Sequence, residues 1–292
     1  MLRPASRHTD AVIATPPTAL TIAGSDSGGG AGAQADLKTF LACRVHGMSA
    51  ITAVTVQNSL GVSGFYELPP QAVAEQIESV ATDIGIGAAK TGMLASAAII
   101  EAVAETVRRL GIAPLVVDPV AASQHGDALL RPDALAALIE LVIPLATLVT
   151  PNLGEVRLLT GIEVTTRAQL ADAARALHAM GPRHVLVKGG HLPGPDAVDL
   201  LFDGTGFLEL SVARAATAHT HGSGDTLAAA ITASLARGRG MQQAVRDGKR
   251  FITAAVEGGF ALGAGLGPVG HFWRVGPWPD RVDGGTPTEL DG

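Results

Sequence analysis

The feature that most constrains this chain is a rhythm. Short apolar runs, each ending in polar or glycine residues, alternate with stretches of helical pattern. The runs at residues 19–23, 49–56, 88–91, 114–117, 146–149 and 184–187 are short and rich in Ala, Val, Leu, Ile and Thr. That is the signature of buried strands. Helical patterns follow from Gln34 to Leu41, from Pro70 to about Asp83, and over 96–110, 133–141, 153–160 and 167–180. Proline suits a first helical turn. Ser96 reads as an N-cap, and Gly111, Gly161 and Gly181 as stops. Strand and helix alternating at this spacing predict an α/β fold, a parallel sheet with helices on both faces. Near 198–212 the rhythm breaks. Two short runs flank Asp203-Gly204-Thr205-Gly206, a hairpin signature, before helices resume at Asp225 and over about 241–262.

With 292 residues, 47% of them hydrophobic, the chain can fill the core of one large domain. We expect that domain over 18–275, after a polar, proline-containing leader (1–17) and before a fraying tail rich in Pro, Gly and Asp (276–292). A net charge of −6 without a Lys/Arg cluster argues against a nucleic-acid partner. No apolar run reaches the roughly 18 residues of a membrane span, and the leader lacks the apolar core of a signal peptide. One cysteine, Cys43, excludes an intramolecular disulfide framework and fits a reducing, cytoplasmic setting. It ends a helix and reads as a small packed residue.

In open α/β sheets, ligands bind at the carboxyl ends of the strands. Gly24, Gln57, Met93, Asp118, Asn152 and Lys188 all fall at such ends. Singly, each has a plain explanation: Asp118 precedes Pro119 as a turn starter, Asn152 with Glu155 makes a capping box, and Lys188 is a solvated charge. Together on one edge, they are harder to explain that way. Two glycine loops reach the same edge. Gly24 to Gly32 lies between a strand and a helix, as in nucleotide and phosphate sites. It lacks the Gly-Lys-Ser/Thr of a P-loop, and no acidic residue closes a second strand about 20 residues on, so its ligand stays open. The second loop, Gly222-Ser223-Gly224-Asp225, opens a helix whose N–H groups suit an anion. Asp225 is either a cap or, beside a bound phosphate, a general base.

The set suits phosphoryl transfer, which needs charge neutralisation and in-line positioning. Lys188 neutralises phosphate. Asp118, Asn152 and Glu155 offer hard oxygens to Mg²⁺, directly or through water. Asp225 takes the acceptor's proton, and the N–H groups of 222–225 stabilise the moving phosphoryl. His219 and His221 shape this loop or line the nucleotide site. Residues 121–129, with His125, are the expected lid.

The motifs Ala23-Gly24-Ser25-Asp26, Gly28-Gly29-Gly30-Ala31-Gly32, Gln34-Ala35-Asp36-Leu37-Lys38, Thr55-Val56-Gln57-Asn58 and Lys90-Thr91-Gly92-Met93-Leu94 carry a resemblance. So do Val117-Asp118-Pro119-Val120, Thr150-Pro151-Asn152-Leu153-Gly154-Glu155, Val187-Lys188-Gly189-Gly190-His191, His221-Gly222-Ser223-Gly224 and Gly265-Leu266-Gly267-Pro268-Val269. From about Leu20 to Phe272 the chain resembles the hydroxymethylpyrimidine/phosphomethylpyrimidine kinases of thiamine biosynthesis, in the ribokinase-like superfamily. The resemblance implies a three-layer α/β/α fold, commonly a homodimer. It implies ATP- and Mg²⁺-dependent phosphorylation of 4-amino-5-hydroxymethyl-2-methylpyrimidine and then of its monophosphate. It puts Gly24, Asp36, Gln57, Met93 and Val120 on the pyrimidine. Asn152, Glu155, Lys188, Gly222 and Gly224 lie at ATP, Asp118 and Glu155 at the metal. Gly222, Ser223, Gly224, Asp225 and Lys188 are its catalytic group. One departure stands out: position 225 is usually cysteine in this family, whereas sugar and pyridoxal kinases carry aspartate. A vitamin B6 kinase is therefore the alternative, with a non-catalytic pyrimidine-binding protein behind it. A nicotinamide-linked oxidoreductase would lack its ribose-binding acid.

Overall fold

The computed structural model describes residues 15–121 and 132–275. The chain runs β1 (Thr18–Ser25), α1 (Gly32–Ala42), β2 (His46–Asn58), β3 (Gly61–Glu67), α2 (Pro70–Asp83), β4 (Ala88–Thr91), α3 (Ala97–Leu110), β5 (Leu115–Val117) and α4 (Pro132–Ala137). It continues β6 (Leu148–Val149), α5 (Leu153–Thr160), α6 (Leu170–His178), β7 (Val185–Lys188), β8 (Asp196–Phe202), β9 (Phe207–Ala213), α7 (Ser223–Ala236) and α8 (Met241–Glu257). The strands form one sheet in the order β3-β2-β1-β4-β5-β6-β7-β8-β9. From β2 to β7 neighbours are parallel; β3, β8 and β9 join antiparallel at the two edges.

Helices cover both faces, as buried parallel strands require. One apolar core packs α2, α3, α4, α5 and α6 against the sheet. The other face is covered by α7 and α8, with α1 beside α7. Because β2 and β4 flank β1 on opposite sides, the strand order reverses at β1, leaving a crevice at the carboxyl ends of β1 and β4. Backbone bonds knit that rim: Gly24 N–H donates to Met93 O at 3.1 Å, and Gly92 N–H to Ile22 O at 2.9 Å.

Five sequence expectations differ from the structure. The helix expected over 133–141 is α only over Pro132–Ala137 and continues as a π-helical turn at Leu138–Val142. No strand is expected at β3: Gly61–Glu67 contains two glycines and is half-exposed on both faces, so no hydrophobic alternation marks it. The last long helix stops at Glu257, not near residue 262. Gly258 closes it, and Gly270 packs so closely that a Cβ there would meet the Gly258 carbonyl oxygen at 2.1 Å. The helix expected from Arg167 begins as a 3₁₀ turn, with Thr166 and Gln169 in a capping box, and is α only from Leu170 to His178. Ser96 stands at the N-cap of α3, but its side chain makes no capping bond.

Candidate active site

At the carboxyl edge of the sheet opens a cavity of about 700 Å³. Gly24, Gln57, Met93, Val120, Asp118, Asn152, Glu155, Lys188 and residues 222–225 all line it. Residues more than 200 positions apart in sequence therefore share one volume.

The two glycine loops behave differently. In the first, N–H groups do not face an open anion site. The Asp26 carboxylate accepts from Gly28 N–H at 2.8 Å, Gly30 N–H at 2.9 Å and Ala31 N–H at 2.8 Å, and His221 Nε2 lies 3.1 Å away. Burial works against that charge, but the bonds from His221, Ala31 and Gly28 hold the Asp26 carboxyl below the usual carboxylate range. The loop is thus closed around its own aspartate, which explains why it matches no phosphate fingerprint. The Gln57 amide sits 3.3 Å from His221 Nε2, so Asp26 orients the histidine beside a cavity-lining glutamine.

The second loop is open. Gly222 is left-handed at φ +76°, and a Cβ there would lie 1.9 Å from the Gly30 carbonyl oxygen, so only glycine brings the two loops together. α7 starts at the next residue; Ser223 N–H donates to the Thr220 carbonyl at 3.1 Å, while Gly224, Asp225 and the positive dipole end of the helix border the cavity.

Across from α7 stands a charged cluster. Lys188, the last residue of β7, places Nζ 2.8 Å from Asp118 Oδ1 and 4.0 Å from Glu155 Oε2. Burial alone would depress this ammonium; Asp118 and Glu155 outweigh burial and hold Lys188 above the usual lysine range. Thr150 donates to the same Asp118 oxygen at 3.1 Å. Burial pushes the Glu155 carboxyl up to about 7, against the pull of Lys188. Asn152 and Glu155 do form the capping box of α5, at 2.9 and 2.7 Å. The plain reading of that pair is therefore correct, and the pair also lines the cavity: a bridge between Asn152 and Lys188 extends the β6–β7 ladder to its wall.

Asp36 is a correction. Its carboxylate is fully buried, beneath the cavity and absent from its wall. Both oxygens accept from Lys90 Nζ at 2.9 Å, and Oδ2 also accepts from Thr21 at 2.6 Å. An aspartate with its oxygens engaged this way does not offer them to a pyrimidine. Lys90, whose role the sequence reading missed, also reaches Asp225 Oδ1 at 3.5 Å. Burial would lower the Lys90 pKa, but Asp36 and Asp225 drive it up, so Lys90 is charged. The signal was available: Lys90 is the one charged residue in a four-residue strand buried throughout. The sequence likewise does not pair Asp26 with His221, which the fold brings to 3.1 Å.

His219 shapes the loop, accepting from Gly267 N–H on Nδ1 at 3.2 Å. Cys43, the C-cap of α1, is half-buried, and burial pushes its thiol up to about 11. Of the expected lid only Ala121 is described; residues 122–129, including His125, lie outside the described residues. Among the described residues, no group of three or more His, Cys, Asp or Glu is arranged to hold a metal ion by itself. No helix among them is long and apolar enough to cross a membrane.

Comparison with known proteins identifies the family. A family model described as phosphomethylpyrimidine kinase matches residues 26–270. The chain is 55% identical over 262 residues to the hydroxymethylpyrimidine/phosphomethylpyrimidine kinase of Streptomyces coelicolor, covering 90% of this chain and 97% of that one. Its fold is similar to an ADP complex of Bacillus subtilis pyridoxal kinase, with TM-score 0.83 and 40% identity over 88% of this chain and 98% of that one. It is also similar to the phosphomethylpyrimidine kinase of Clostridium difficile, with TM-score 0.74 and 42% identity over 82% and 99% of the two chains.

Proposed function

This chain belongs to the phosphomethylpyrimidine kinase family, and on that premise we propose how its cavity works. The protein is a phosphotransferase of thiamine biosynthesis. It uses ATP to phosphorylate 4-amino-5-hydroxymethyl-2-methylpyrimidine and then the monophosphate. The observation that carries the reading is one cavity holding the α7 N-terminus with Asp225, the Lys188 cluster, and the Gln57 and Met93 wall.

The pyrimidine lies against Gly24, Gln57, Met93 and Val120. An amide suits the donor and acceptor edge of an aminopyrimidine, and Met93 packs on the flat ring. The nucleotide lies along Asn152, Lys188 and α7, its base toward the apolar stretch of Ala197, Val212, Ile252 and Val256. Asp225 takes the proton of the hydroxymethyl group as its oxygen attacks the γ-phosphorus. The N–H groups of Gly222, Gly224 and Asp225, with Ser223 between them in the first helical turn, meet the charge that develops on the phosphoryl. Lys188 neutralises phosphate oxygens. Mg²⁺, when bound, supplies further charge neutralisation on the phosphates. Asp118 and Glu155 fit it as two carboxylates acting through water with the nucleotide's own oxygens, since Mg²⁺ rarely uses an all-protein cage.

The domain spans 18–275, acts in the cytoplasm and pairs as a homodimer. Support for the dimer comes from the outer face of the β2–β3 edge, where cross-strand partners Val54 and Tyr66, with Val56, stand 46, 73 and 50% exposed. Neither nucleic acid nor membrane is a partner.

A second reading has its own support: the resemblance puts aspartate at position 225 in pyridoxal kinases, and a pyridoxal kinase is among the similar structures. ADP release measured separately with the pyrimidine alcohol, its monophosphate and pyridoxal decides. Turnover confined to pyridoxal would replace the first reading by the second. Tight pyrimidine binding without ADP would leave a binding protein.

A further inference from the structure

Beneath the reacting edge lies a row of three charges: Asp36 from α1, Lys90 from β4 and Asp225 from α7. Lys90 and Asp36 are fully buried; Asp225 is 16% exposed, toward the cavity. Lys90 holds Asp36 through both carboxylate oxygens at 2.9 Å and holds Asp225 through Oδ1 at 3.5 Å. The ion pair of Asp225 thus comes from below, on one oxygen, while the residue itself borders the cavity. A buried lysine neutralised by Asp36 alone would not need a second carboxylate, and burying charge is unfavourable.

We propose that Lys90 is a positioning residue for Asp225 and that the pair serves only one of the two phosphorylations, the one whose acceptor is an alcohol. This rests on the two-step activity of the proposed function, and on elementary acid–base chemistry. In the first step the hydroxymethyl oxygen forms a bond to the γ-phosphorus, the bond from that phosphorus to the β,γ-bridging oxygen breaks, and ADP leaves with the electron pair. The alcohol's proton must go to a base, and Asp225 receives it. In the second step the attacking atom is an oxygen of a phosphate monoester. Its second ionisation lies near pH ~6, so at pH 8 the nucleophile carries no proton. The same bonds form and break around phosphorus, but no proton needs a destination. Asp225 then has nothing to accept.

Lys90 from β4, Asp36 from α1, Glu155 from α5 and Lys188 at the end of β7 interact electrostatically with Asp225, and Asp118 after β5 acts on Lys90. Asp118, Glu155 and Lys188 serve nucleotide phosphates in both steps, so only the row beneath Asp225 distinguishes the two acceptors.

The test measures kcat/KM with each acceptor separately, on the full chain with ATP and Mg²⁺, from pH 5.5 to 9. D225N should lose about 10²- to 10⁴-fold with the alcohol, the usual worth of a general base. With the monophosphate it should lose less than about tenfold. D36N/K90M removes the buried pair, one carboxyl and one ammonium together, and leaves Asp225. It should move the acid limb of the alcohol profile to higher pH and leave the monophosphate profile in place. In the D225N background the same pair of substitutions should change alcohol turnover no further. A purely structural role for Lys90 would instead lower both steps in either background. If D36N/K90M does not fold by its thermal melt, D36N alone serves. With Asp225 as its remaining carboxylate partner, Lys90 should then move the alcohol acid limb to lower pH and spare the monophosphate. Equal losses with both acceptors in D225N, or additive losses on combining the substitutions, overturn the proposal. A wild type that turns over neither pyrimidine would overturn the proposed function itself, which is a different result.

Discussion

Replacing Gly224 by alanine should separate stability from catalysis. Gly224 lies in the first turn of α7 and has no left-handed torsion, so its backbone accepts a side chain. A Cβ there would stand 3.2 Å from Lys188 Nζ and 3.4 Å from Asp118 Oδ2, in ordinary or slightly tight contact with two side-chain ends. Alanine gains about 0.5–1 kcal/mol over glycine in a helix, through the entropy of the unfolded chain. The tight contact gives part of that back, because Lys188 is held between Asp118 and Glu155 and yields by tenths of an ångström. The net is near zero to about +1 kcal/mol, a melting temperature unchanged or raised by up to about 4 °C for a domain of this size. Activity should fall sharply. The methyl fills the gap between the α7 N-terminus and Lys188, where the proposed function puts the γ-phosphoryl. Misplacement by about 1 Å costs about 10²-fold in rate. Thermal unfolding and the ADP-coupled assay on one preparation give both numbers. If G224A keeps kcat/KM within about threefold while melting normally, phosphoryl transfer does not occur at this helix end.

Gly222→Ala should behave oppositely, losing stability first. Its Cβ would overlap the Gly30 carbonyl oxygen at 1.9 Å in a left-handed backbone, so strain of about 1–2 kcal/mol adds to about 1–3 for overpacking. A melting point lowered by less than 2 °C would refute that. Lys188→Met leaves Asp118 and Glu155 buried without their cation, which should destabilise by about 3–5 kcal/mol and lower kcat/KM by at least about 10²-fold. Unchanged ATP kinetics would remove Lys188 from the phosphate site. Glu155 gives a pH test. Its folded pKa, about 7, lies above the ordinary 4.5, so the folded state holds its proton more tightly than the unfolded state. Stability from this group is fully present below 4.5 and is lost as pH rises towards 7. The loss reaches at most about 3 kcal/mol. Denaturant titrations at pH 5 and 8 should show that slope in the wild type and a flatter one in E155Q; equal slopes would contradict it.

Strand identity was legible in the sequence wherever a strand is buried on both faces, because such runs are short, apolar and punctuated. The polar residues at their ends could be placed on one edge for the same reason, and the structure has Gln57, Asp118, Asn152 and Lys188 around one cavity. β3 was not legible, since an edge strand half-exposed on both faces leaves no periodic trace. Side-chain partnership was decided only by the fold. Nothing in the order of residues says that Asp26 folds its own glycine loop around itself, or that His221 comes to rest against it from 195 positions away. Nor does sequence distinguish an aspartate that faces a ligand from Asp36, which faces a lysine beneath the floor. Periodicity records which way a residue points relative to its own element. What it meets there depends on how separate elements pack, and that packing put Lys90 under Asp225.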